Sequence, residues 1–83
     1  MGIVLVMPLF MVGNPTCFKE ESLKRAQNSP MDEFGVDHVN MFYNERENKL
    51  WCLMSAPDKA ALVKHYAKSG VKYDWIVEVK TTK

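Results

Sequence analysis

Apolar positions along this 83-residue chain fall into four short runs separated by two stretches with helical spacing. The first run, Ile3 to Val12, is broken only by Pro8 and ends at the turn cluster Gly13-Asn14-Pro15, so it is expected to be a strand. Thr16 is then placed to cap a helix whose first turn carries Glu20 and Glu21, with Phe18, Leu23 and Ala26 as its inward stripe. Asn28-Ser29-Pro30 interrupts that helix, because Pro30 lacks an amide donor and clashes with the preceding turn. Ser29 and Pro30 suit a restart over Met31 to Phe34, ended by Gly35.

From Asp37 to Asn44 the period is that of a strand, with Val39, Met41 and Tyr43 on one side and His38, Asn40 and Phe42 on the other. A polar hairpin loop, Asn44 to Asn48, leads into Lys49 to Ser55, where Leu50, Cys52 and Met54 share a face opposite Trp51 and Leu53. Pro57 and Asp58 suit the start of a helix from Lys59 to Ser69, which Gly70 ends. Its wheel gathers Leu62, Val63, Tyr66 and Ala67 inward and Lys64 and Lys68 outward, with His65 at the boundary beside Ala61 and Ser69. A last strand, Tyr73 to Val79, sets Tyr73, Trp75, Val77 and Val79 against Ile76 and Glu78.

The order β-α-β-β-α-β, with right-handed crossovers, gives one α+β ferredoxin-like domain over residues 1–83: a four-stranded antiparallel sheet with both helices on one face. The other face of a monomer should then read polar, and it does not, since every strand carries apolar or aromatic residues on both sides. A bare face of that kind exceeds what soluble monomers usually expose. The expectation is a homodimer packed sheet to sheet in a barrel-like assembly, its inter-sheet cavity suited to a small apolar ligand.

Composition narrows this picture. Apolar residues at 47% and charged residues at 25% fit a folded soluble domain, and a net charge of +1 provides no field to gather nucleic acid or anionic lipid. Lys64, Lys68 and Lys72 have the spacing of a solvent-facing helical edge. The opening apolar run lacks both a basic flank and a small-residue cleavage site, and it is too short to span a bilayer, so a cytoplasmic location is expected. Cys17 and Cys52 read as two free thiols there.

Chemistry-bearing residues are few. Cys52 on the third strand and His65 on the following helix lie on adjacent elements; His38, beside Asp37, is the only other histidine, and nothing in the spacing brings it near His65. There is no nucleophile with an evident base, no paired carboxylates in a plausible cleft, no phosphate-binding glycine loop and no zinc-type cysteine spacing.

Met7-Pro8-Leu9-Phe10-Met11, Leu50-Trp51-Cys52-Leu53 with Ala56-Pro57, His65 with Gly70, and Glu78-Val79 together resemble a family of small ferredoxin-like proteins catalogued as a domain of unknown function, some of whose members bind nickel. The resemblance runs from Met7 to Val79 and implies frequent dimerisation and, in some members, a histidine-built metal site. It also implies an Asp-Val-His at the end of the first strand and His-x-x-x-His-Gly in the second helix. This chain reads Val12-Gly13-Asn14 in the first place, and in the second keeps His65 but has Ser69 for the second histidine.

Three readings stay open. One is a cytoplasmic homodimer that binds nickel or another divalent transition metal through His65, with Cys52 or His38 as further donors. Another is a dimeric barrel enzyme or small-molecule module whose inter-sheet cavity takes an apolar ligand, with His65 or Tyr66 moving a proton. The third is a metal-free interaction protein.

Overall fold

A computed structural model describes residues 7–82. Its elements follow the expected order: β1 (Leu9–Asn14), α1 (Glu20–Gln27), β2 (Asp37–Asn44), β3 (Lys49–Ser55), α2 (Lys59–Ser69) and β4 (Trp75–Val79). The four strands form one sheet in the order β2-β3-β1-β4, with every neighbouring pair antiparallel, as in a ferredoxin-like α+β domain. Ile3 to Val6, the start of the expected first strand, lie outside the described residues.

Alternation along the strands assigns the two faces. Phe10 and Val12 of β1, Leu50, Cys52 and Met54 of β3, and Ile76 of β4 are buried, and with Leu23 of α1 and Leu62 and Tyr66 of α2 they make the core. On the opposite face the ladder aligns Phe42, Trp51, Gly13 and Trp75 in one row and Asn40, Leu53, Met11 and Val77 in the next. Phe42, Trp51, Trp75 and Val77 are exposed there. The Trp75 indole lies over Gly13, so close that a Cβ at that position would fall 2.3 Å from its Cε2; only glycine leaves room for the ring.

Several local expectations are corrected. α1 starts at Glu20 and Lys19 occupies its N-cap without a side-chain bond, so Thr16 does not cap it; instead Glu45, from the β2–β3 hairpin, accepts from the Glu20 amide at 3.2 Å. Met31 to Phe34 do not restart a helix. There Asp32 Oδ1 accepts from the amides of Phe34 and Val36, and Gly35 takes a positive φ of 78°. Tyr73 precedes β4 and stacks obliquely on Tyr66.

α2 matches its expected limits, because both ends are specified by residue chemistry. Asp58 at the N-cap accepts from the Ala61 amide, and Gly70 adopts the left-handed conformation that closes the C-terminus. Its buried stripe is rotated, however: Val63 and Ala67 are exposed, while Leu62 and Tyr66 are buried and Ala61 and His65 are half-buried. The rotation carries His65 inward, on the helix side of the sheet and away from the open face. A His65 lining a cavity between two packed sheets is thereby overturned.

Candidate functional site

The two helices stand apart over the sheet and leave a cavity of about 310 Å³ between them. Its floor is sheet, with Asn14, His38, Met41, Leu50 and Cys52; α1 supplies Leu23 and Ala26, and α2 supplies His65, Tyr66 and Ser69. All three candidate residues, His65, Cys52 and His38, therefore reach one space. So do Asn14 and Ser69, the two positions at which the sequence departs from the histidine pattern it resembles.

His38 arrives by a device that alternation does not reveal. β2 pairs His38 with Met54 and then Asn40 with Leu53, which leaves Val39 as an extra residue in a β-bulge. Beyond the bulge Met41 pairs with Cys52 on the core side, so the unpaired Val39 lets His38 and Met41 share a face that strict alternation would deny them. Gln27 of α1 donates from Nε2 to the carbonyls of His38 and Val39, at 3.2 and 2.9 Å, and so satisfies the backbone that the bulge frees. The result corrects the sequence expectation: the rings of His38 and His65 meet edge to face, 5.7 Å between centroids.

Asp32, which sequence reasoning did not single out, holds His65. Its Oδ2 lies 2.5 Å from His65 Nδ1 while its Oδ1 is engaged by the loop amides, so one carboxylate fixes both the loop and the ring. Burial alone would raise its carboxyl pKa, but the bonds from His65 and from the Val36 and Phe34 amides prevail and hold it below the ordinary value. A second tie, between Glu33 and Lys68, fastens the same loop to α2. His65 also lines the cavity. His38 is shifted down by burial and by the neighbouring His65, against the opposing pull of Asp37 and Asp32.

Cys52 is a different kind of group. Burial pushes its thiol up to about 11, against the opposite influence of a hydrogen bond with Tyr66, and the thiol donates weakly to Asn14 Oδ1 at 3.5 Å. Tyr66 is raised as well, first by burial and then by Cys52. Both stay protonated at neutral pH and bring neutral polar atoms to the cavity. Among the described residues no group of three or more His, Cys, Asp and Glu side chains is arranged to hold a metal ion, and no helix is long and apolar enough to cross a membrane.

No match was found among curated proteins or among solved structures. One family model does match, described as nickel responsive protein SCO4226-like, and it covers residues 13–79. That span contains His38, Cys52 and His65 together with the loop that carries Asp32, and it makes up most of the chain; this protein belongs to the SCO4226-like nickel responsive family.

Proposed function

We propose that the protein is a cytoplasmic homodimer that senses or transiently holds a nickel-type divalent ion, taken by the imidazoles of His65 and His38. The observation that carries this reading is the meeting of the two rings in one cavity. A metal–nitrogen bond of about 2 Å places a ring centre roughly 3 Å from the ion, so centroids 5.7 Å apart are within reach of a shared ion. Imidazole is a preferred donor for nickel, and a carboxylate on one ring nitrogen is the usual way to aim the other at a metal. Asp32 is so placed toward His65.

The donor set fits an open site and not a closed one. Two imidazoles are available, Cys52 is kept as a thiol, and Asn14 and Ser69 take the places where the resemblance puts histidines. An ion held this way retains exchangeable positions for water, which suits reversible response better than a permanent cofactor. When bound it would tie α2 to β2. The dimer reading draws on the exposed Phe42, Trp51, Trp75 and Val77 of the uncovered face, and the cytoplasmic one on two free cysteines.

Titration of chelator-treated protein with nickel should release heat and produce a ligand-field band, and His65→Ala or His38→Gln should each weaken binding about tenfold or more. Absence of both signals removes the metal reading. Sedimentation should give twice 9.6 kDa; a lone 9.6 kDa species removes the dimer without touching the metal site.

A further inference from the structure

The cavity is larger and greasier than a two-imidazole ion site needs. Phe18, Leu23, Ala26, Met41, Leu50 and Val71 make up its apolar wall, while His38, His65 and Tyr66 bring polar atoms to it. An apolar cavity of about 150 Å³ is enough to take benzene; this one, at about 310 Å³, has room for a second ring. Among the described residues neither lysine nor arginine lines it, so an anion entering it would give up its hydration for no lysine or arginine charge there. A neutral molecule with one hydrogen-bonding group loses little and gains the whole apolar wall.

The polar groups narrow the class further. Asp32 engages Nδ1 of His65, and in the tautomer that donates there the opposite ring nitrogen is an acceptor with no hydrogen-bond partner among the described residues. A hydroxyl is the complementary donor. We infer that the cleft between α1 and α2 binds a small neutral aromatic alcohol of one or two rings, its ring plane against Leu23, Ala26 and Met41 and its hydroxyl donating to the His65 imidazole. This binding needs no metal and is independent of the nickel reading.

The probe is 2-naphthol, added to chelator-treated protein carrying methyl-labelled methionine. Met41 lines the cavity, Met11 lies on the uncovered sheet face, and Met54 is fully buried and reports folding. The Met41 methyl signal should shift saturably, with one molecule bound per chain, while Met11 stays still. Naphthalene, which lacks the hydroxyl, should bind at least fivefold more weakly. Ala26→Phe fills the apolar wall, so it should weaken 2-naphthol at least tenfold. Should Met54 show that this variant misfolds, Val71→Phe makes the same test from the other side. The inference is overturned if Met41 does not respond, if Met11 responds in its place, or if neither filling variant weakens the probe. Loss of nickel binding alone would leave it standing.

Discussion

His38 faces the cavity because Val39 has no partner across the ladder. Its burial next to His65 depresses its folded-state pKa, so the fold favours the neutral ring. The stabilisation is complete above the unfolded value of about 6.5 and is lost as the pH falls from there through the lower folded value. The urea midpoint of metal-free protein should therefore drop between pH 7.5 and 5.5, and His38→Gln should flatten that dependence. The groups facing His38 that oppose the effect are Asp37 on its own strand and Asp32 on the loop; an unchanged slope in the variant would assign the acid sensitivity elsewhere. Cys52 invites a second measurement, because a buried thiol raised to about 11 is a poor nucleophile. With a disulfide reagent at pH 8, the half-buried Cys17 should react first and Cys52 only as fast as the chain opens. At this scale His65 was legible, since the helical period puts it at a boundary. Asp32 was not, since the sequence separates it from His65 by 33 residues and carries no sign of the turn that joins them.

The elements with chemically marked ends were legible: α2 lies between Asp58 and Gly70, and β3 between a polar hairpin and Ala56-Pro57. α1 was misread at its start because its N-terminal amide is satisfied from the hairpin, 25 residues away, and Thr16 has no part in it. The β2 bulge was hidden for a related reason. A period-2 pattern through Val39 is self-consistent in sequence, and only the pairing with β3 shows the extra residue. Gln27 is the long-range partner that makes this arrangement affordable. Gln27→Leu should cost about 1 kcal/mol of stability by thermal or urea unfolding, and it should weaken nickel more than the stability loss alone explains, because the His38 backbone loses its anchor. Wild-type nickel affinity in this variant would mean that the bulge holds itself.

For the molecule as a whole, the order of elements and the alternation in β3 and β4 were sufficient to derive a four-stranded antiparallel sheet with an apolar reverse face, though not the order of its strands. The position of the cavity was not derivable, because it depends on how far the helices stand apart over the sheet, and side-chain period says nothing of that spacing. It lies on the covered side, so pairing through the bare side and ligand capture can be separated by mutation. Val77 is 52% exposed on the bare face of the edge strand β4. Val77→Lys should shift sedimentation from two copies to one while nickel and 2-naphthol titrations change less than threefold; loss of both together would show that the second copy shapes the cavity.

β2 is one of the two edge strands, and among the described residues its only strand partner is β3. A margin of that sort frays readily, and its amides are ordinarily among the first in a sheet to trade protons with water. Whatever grips the two rings at once would staple that margin to the second helix, so the protein would announce an occupied cleft by slower deuterium uptake across residues 37–44, far along the chain from the helix that shares the load.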